Sequence, residues 1–345
     1  MNDDHLDKET SVSAEITPTG VKASAKSRFV AAVDRLGGNI VETLNVTIEA
    51  RTAEKRAVTD GRVKAIEAIT AMGLERLKTD PEFAERAMHG HLGSVFAKQT
   101  NKDAVVDKAV EDLRRQPPSE KDSASGGDKL DDAFINRFER YAEEATSDEL
   151  REKWGRVLAA EIRKPNTFSG KVLRVIDELD PQTAKLFERL CECRLYNVIP
   201  KILFGELLFT ESVNLTSAGL IVEVGLGQIR RSNEIVDGGG VPLWFWNFDA
   251  SAVALSKTDA FPEISGPNPI FQLDEGKLTL PIYVLTDVGY AISSILPDHS
   301  FKMINQLVDK LSTAAPRSEA RLYVREPNST EWIVMRIVPP AQPSG

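Results

Sequence analysis

The stretch Trp154–Ser169, W-G-R-V-L-A-A-E-I-R-K-P-N-T-F-S, reads as a buried helix, a proline stop and a capped restart. Just upstream, Thr146-Ser147-Asp148-Glu149 has the spacing of a capping box, with the Thr146 hydroxyl accepting from an early backbone N–H and Glu149 reaching back. Leu150, Trp154, Val157, Leu158 and Ile162 follow at three- and four-residue steps, so they share one helical face. Pro165 has no N–H and disfavours helical geometry at Lys164, which ends the helix. Ser169 is placed to cap the next helix, whose apolar side is Val172, Leu173, Val175, Ile176 and Leu179. Asp180-Pro181 repeats the device ahead of Leu186, Phe187 and Leu190. Three helices with short connections imply a compact helical core.

The same residues carry a resemblance. The run S-D-E-L-R-E-K-W-G-R-V-L-A-A-E-I-R-K-P-N-T-F-S, then L-R-V-I-D-E-L-D and A-K-L-F-E-R-L, resembles the bacterial domain-of-unknown-function family numbered 2806. The shared order is a tryptophan, a leucine-alanine-x-glutamate turn, a proline, then phenylalanine-serine. The likeness runs from Arg51 to Ile295 and is densest between Phe134 and Leu190. It implies a bacterial or phage-borne protein, with a loose association to phage defence or mobile elements. It implies no reaction.

At 345 residues, with 28% charged and 41% hydrophobic residues, the chain has the make-up of a soluble globular protein of two modest domains. Its net charge of −9 argues against a general nucleic-acid binder, which needs a clustered basic surface. Cys191 and Cys193 point different ways on a helix, and no Cys/His cluster suggests zinc; both facts fit a reducing cytoplasm. The start, M-N-D-D-H-L-D-K-E-T, lacks a signal peptide's apolar core, and no apolar run is long enough to span a membrane.

The expected fold is mostly α with a C-terminal α+β region. Residues 1–20 read as a disordered lead and 21–115 as an extended helical region. There Phe29, Val33, Leu36, Ile40, Leu44 and Ile48 keep helical steps across Gly37-Gly38. Residues 116–128, Q-P-P-S-E-K-D-S-A-S-G-G-D, read as a flexible linker. The helical core follows at 129–198, then a winged-helix-like α+β region with an insertion at 199–313, then a β-hairpin and loose tail at 314–345. In the α+β region, Ile202, Leu203, Phe204, Leu207, Leu208 and Phe209 form an apolar stretch expected to be buried. A short helix ends at Gly219, with strands expected from Leu220, over Trp244–Phe248 and over Leu278–Leu285. Thr286 caps a helix stopped by Pro297, and Phe301–Leu311 gives another. Arg321–Arg325 and Trp332–Val338 flank the turn E-P-N-S-T. The turn A-G-L-I at 218–221 and L-T-D-V-G at 285–289 resemble the two turns of a winged-helix unit, here separated by a long insertion.

That resemblance implies a DNA-binding alternative. The recognition stretch T-E-S-V-N-L-T-S-A carries Glu211 and no Lys or Arg, so Arg230 and Arg231 are the candidate nucleic-acid contacts. Gly225-Leu226-Gly227 lacks the lysine and third glycine of a phosphate loop, and Gly238-Gly239-Gly240 reads as a plain loop. His89 and His91 diverge on a helix; His5 and His299 stand alone. Glu161 is the one acid inside the central motif. With no partner acid, base or metal in sight, it is expected to accept hydrogen bonds from the start of the next helix, or to pair with Arg174 or Lys171. Trp154, Leu158, Pro165, Phe168 and Ser169 are expected to build the helix junction. No catalytic residue, cofactor site or metal site is expected. The leading expectation is an interaction or assembly protein with a protein partner or a second copy, self-associating through the front helices. Nucleic acid is the less favoured partner.

Overall fold

The computed structural model describes residues 20–36, 82, 93–118, 127, 129–225, 228–257, 271–326 and 329–341. Among the described residues helix accounts for about 51% and strand for about 20%, with a helical core and C-terminal β-sheets. The chain divides into two compact units, Met1–Leu173 and Arg174–Gly345.

The first unit contains helices α1 (Gly20–Leu36), α2 (Gly93–Arg115), α3 (Asp132–Glu143) and α4 (Asp148–Arg163), and the start of α5 (Gly170–Glu178). Helix α4 lies at its centre because its apolar face is wide: Trp154, Val157, Leu158, Ala159 and Ile162 are all buried. Gly155 lets α2 come close, since a Cβ there would sit 2.9 Å from the Lys108 carbonyl carbon and 3.0 Å from the Ala109 nitrogen. The amphipathic α3 adds Phe134, Ile135 and Phe138. Its Phe138 meets Trp154 edge-on at 6.0 Å, and Tyr141 stacks on the same indole at 4.6 Å. Helix α1 contributes Ala25, Ala32, Val33 and Leu36 to buried positions. Helix α2 buries Val105, Val106 and Ala109 but leaves Val95 and Phe96 of its first turn exposed. Ile40, Leu44, Ile48, His89, His91 and most of the linker lie outside the described residues.

The caps follow the sequence closely, with one correction. Ser147, not Thr146, caps α4: its backbone is extended (φ −106, ψ 158) and its Oγ accepts from the Leu150 N–H at 3.3 Å. The helix starts one residue later than the capping-box spacing suggested. Lys164 is extended as Pro165 requires.

The second unit runs α6 (Pro181–Glu192), β1 (Val198–Pro200), α7 (Lys201–Phe204), α8 (Phe209–Ser217), β2 (Ile229–Arg231), β3 (Asn233–Val236), β4 (Pro242–Phe248), β5 (Ser251–Ser256), β6 (Gln272–Asp274), β7 (Lys277–Val284), α9 (Asp287–Ser293), α10 (Ser300–Ala314), β8 (Ala320–Val324) and β9 (Ile333–Val338). Asp180 caps α6, its Oδ1 accepting from Gln182 N and Thr183 N at 3.0 and 2.9 Å. The strands form two antiparallel sheets. A small one has the order β1-β7-β2, with β6 also on β7; a larger one has the order β3-β4-β5-β8-β9. Trp244, Trp246, Phe248, Val253, Leu255 and Leu322 of the large sheet share a core with Leu278, Leu280 and Ile282 of the small one and with Met303, Ile304, Leu307, Val308 and Leu311 of α10. Leu243, Phe245, Ala252, Ala254 and Tyr323 make a second apolar cluster from the alternate residues of the large sheet.

Two expectations are corrected here. Ile202, Leu203, Phe204 and Leu207 are only half-buried, and Leu208 and Phe209 are exposed by 67% and 82%, so the apolar stretch from Ile202 is not the buried one expected. It breaks at Gly205 (φ 97), and the chain turns outward before α8 begins. The strand expected from Leu220 shrinks to a single bridge, Ile221 to Leu285.

That bridge is one of several bonds between A-G-L-I and L-T-D-V-G. Thr286 Oγ1 donates to the Gly219 carbonyl at 2.5 Å, and Thr286 N donates to Leu220 O at 3.1 Å. The same hydroxyl accepts from Gly289 N at 2.9 Å and so caps α9. A Cβ on Gly289 would overlap the Leu220 carbonyl oxygen. Gly289→Ala is therefore expected to lower unfolding free energy by about 1–3 kcal/mol, because backbone must move to admit the methyl. Gly238→Ala, which meets nothing within 4 Å, serves as the neutral control in the same denaturant titration.

Candidate functional site

The junction after α4 gathers every structural-motif residue named from the sequence. The chain leaves α4 at Lys164, passes Pro165, and turns through Asn166 in the left-handed region (φ 67). This turn aims three consecutive N–H groups back at the helix. Glu161 receives all three: Asn166 N donates to Oε1 at 2.6 Å, while Thr167 N and Phe168 N donate to Oε2 at 3.1 and 2.9 Å. Ser169 Oγ then accepts from Val172 N at 3.4 Å and opens α5. Trp154, Leu158 and Phe168 are all buried. Glu161 forms no ion pair with Lys171 or Arg174; backbone donors take their place.

Two arginines complete the helix end. Arg28 of α1 is fully buried and its Nη1 donates to the Ile162 carbonyl at 2.8 Å and the Arg163 carbonyl at 3.3 Å. A cation on carbonyls that the last turn cannot bond internally also suits the helix dipole. Arg163 reaches the end of α2, with Nη2 on Asp112 Oδ2 at 2.5 Å and Nε on Gln116 O at 2.8 Å. The sequence reading missed Arg28. Its signal was present: it stands between Ala25 and Ala32 on the apolar stripe of α1.

The electrostatics are those of a structural carboxylate. Burial pushes the Glu161 pKa up, and the negative Asp131 adds to this, against the three N–H bonds that pull it down. Only 1% of the residue is exposed, and its oxygens are occupied by fixed donors. The arrangement clamps the post-proline turn to the helix.

In the second unit the structure separates Arg230 from Arg231, as successive strand residues must be. Arg231 pairs with Asp274 and lies 3.5 Å from Glu275. Arg230 turns the other way, donating to the Asn247 carbonyl with its guanidinium 5.2 Å from the Phe248 ring centroid. Burial pushes its pKa down. Tyr283 on β7 anchors the turn between α7 and α8. Its hydroxyl accepts from Leu207 N at 2.8 Å and lies 3.1 Å from Gly205 O and 3.2 Å from Glu206 Oε2. Burial pushes this phenol up to about 12, and the Cys191 thiol likewise to about 12, so neither is an activated nucleophile at neutral pH.

Among the described residues no three His, Cys, Asp or Glu side chains gather as metal ligands, and no helix is long and apolar enough to cross a membrane. No curated protein and no solved structure matches the chain. The resemblance first seen around Trp154 holds over a shorter span than Arg51 to Ile295, and includes its densest part: residues 85–220 match the model of the family described as Protein of unknown function (DUF2806).

Proposed function

We propose that this chain is a non-enzymatic interaction protein that assembles with a second copy of itself. The observation that carries the reading is strand β9. It ends the large sheet, bonded to β8 on one side only among the described strands. Ile333, Val334, Met335 and Ile337 are 43–54% exposed along it. Edge strands are normally blunted by lysine, proline or a charge turned inward. Ile333–Val338 holds no lysine or proline, and its one charge, Arg336, is engaged by Asp309 of α10 at 2.5 Å. Pairing β9 antiparallel with its own copy about a two-fold axis would satisfy the open backbone groups of both strands and cover the apolar residues. Helix α2 also exposes Val95 and Phe96, so the front helices stand beside β9 as a proposed assembly surface.

Light scattering coupled to size exclusion tests this on the full chain. The expected result is a dimer that Met335→Lys with Ile337→Lys converts to a monomer without loss of secondary structure. A wild-type chain that stays monomeric at tens of micromolar would overturn the reading. An association with phage defence or mobile elements rests on the family resemblance alone.

A second reading, a DNA-binding regulator, is favoured by a different observation. Helix α6, strand β1, helices α7 and α8, then β2 and β7 follow in the sequence of a winged-helix unit. The sheet order β1-β7-β2 and the A-G-L-I to L-T-D-V-G closure agree with it. The recognition position is α8, however, which has no Lys or Arg and presents Phe209 and Val213 to solvent. That face suits a protein contact better than base edges.

A further inference from the structure

We propose, on the reading that β9 pairs with its own copy, that its bulge selects that copy and sets the register: Val334 of each chain pairs with Ile337 of the other.

Hydrogen-bond parity decides which groups of β9 are open. In an antiparallel ladder alternate residues bond to one neighbour, and the residues between them bond to the other. Strand β8 pairs with β5 in the register Ser251 to Val324 through Leu255 to Ala320. Just beyond each end of that register, Arg325 N donates to Ala250 O and Ser256 N donates to Glu319 O, both at 2.8 Å. The odd-numbered residues of β8 therefore bond to β5, and Ala320, Leu322 and Val324 bond to β9. Their partners there are Val338, Arg336 and Ile333. Left for the open edge are Ile337, opposite Arg321, and Val334, opposite Tyr323.

Between the pairs Leu322 to Arg336 and Tyr323 to Val334 the register shifts by one residue, Met335. The extra residue changes the spacing of the edge. On a regular strand the open residues stand two apart; Val334 and Ile337 stand three apart. A straight strand of another protein can mate with one of them and must leave the other unpaired. An antiparallel copy of β9 offers Ile337 and Val334 at the same interval in reverse order, so both open residues of both chains are mated. Centring the pair on Ile337 instead would bring Pro339, which has no N–H, against the bulge of the second copy. A bulge commonly defends an edge strand against any partner. Here it excludes straight strands and admits its own likeness.

The register also places charge. A two-fold axis normal to the sheet keeps each face on its own side, so both Arg336 side chains lie on the α10 side near the axis, roughly 5–8 Å apart at their Cβ atoms. Like charges so placed repel. Each is answered within its own chain: Arg336 Nη2 lies 2.5 Å from Asp309 Oδ1, and Nη1 lies 3.5 Å from Asn305 Oδ1. Asp309 thereby neutralises the centre of the interface.

The test mixes full chains carrying Val334→Cys with full chains carrying Ile337→Cys under mild oxidation. A disulfide-linked dimer is expected from the mixture and from neither variant alone. The wild-type chain, whose Cys191 is buried and Cys193 half-buried, gives the background. Bonded antiparallel pairs hold their Cα atoms about 5.5 Å apart, within the span of a disulfide. Asp309→Asn needs no cysteine: by sedimentation it should weaken the dimer roughly fivefold at low salt, and less as salt rises. A mixture that links no better than either variant alone, or Ile337→Cys linking to itself, overturns the register while a wild-type dimer keeps the assembly reading. An Asp309→Asn dimer as tight as wild type overturns the neutralising role. A monomeric wild-type chain overturns the assembly reading and the register with it.

Discussion

Replacing Trp154 by alanine is expected to lower the unfolding free energy of the Met1–Leu173 unit by about 3–5 kcal/mol, the range for a large aromatic removed from a packed core. The indole is held on more than one side. Tyr141 stacks on it, Phe138 meets it edge-on, and the Lys153 ammonium lies 5.2 Å from its ring centroid. Phe134 in turn stacks on Phe138 at 5.4 Å, so a hole at Trp154 loosens α3 as well as α4. The helices cannot close on the void easily, because Gly155 already brings α4 and α2 into backbone contact. Urea unfolding followed by circular dichroism reads the change. A variant with the parent's midpoint would mean that Trp154 faces a partner rather than a core.

Glu161→Ala should cost a similar amount, about 3–5 kcal/mol, for a different reason. Three backbone N–H groups lose their acceptor at once, and each buried donor left unsatisfied costs about 1–3 kcal/mol before water or relaxation helps. Glu161→Gln keeps the volume but puts an NH₂ where an oxygen faced a donor, so a cost of about 1–3 kcal/mol is expected. The carboxyl also leaves a pH signature. Its pKa is raised in the fold above the ordinary 4.5. The unfolded chain therefore releases this proton first as pH rises, and the stability that Glu161 lends is full below 4.5 and declines from there until the folded pKa is passed. The gap in stability between wild type and Glu161→Gln should accordingly narrow as pH rises through that window. A gap that widens would mean the N–H bonds outweigh burial.

Much of the local structure was legible because its causes are local. Pro165, Ser169, Asp180-Pro181 and Thr286 set helix ends through bonds to residues two to four positions away, and each acts as its type requires. The two apolar runs read as flanking a hairpin turn are β8 and β9, paired antiparallel. What escaped depends on distance. Ser251–Ser256, S-A-V-A-L-S, has no alternation because β5 is buried on both faces between β4 and β8, so it carries no period-two signal. Arg28 meets the end of α4 across more than a hundred residues. The oxygens of Glu161 were expected to find the next helix, yet their donors belong to the turn before it, which only the left-handed Asn166 could reveal. Arg230 and Arg231 are adjacent in sequence but face different neighbours, Asn247 and Phe248 for one and Asp274 and Glu275 for the other.

The large sheet is made from two stretches of chain, β3–β5 and β8–β9, with β6, β7, α9 and α10 lying between them in sequence. A ribosome therefore releases Trp244, Trp246 and Phe248 long before α10 exists to cover them, and β5 waits with an open edge until Ala320 emerges. Throughout that interval the nascent protein carries an aromatic surface and an unpaired strand, the combination on which incomplete chains aggregate. Slower synthesis across residues 257–320 would lengthen that exposure, so the yield of native protein is tied to how quickly the last quarter of the chain follows the aromatic strand.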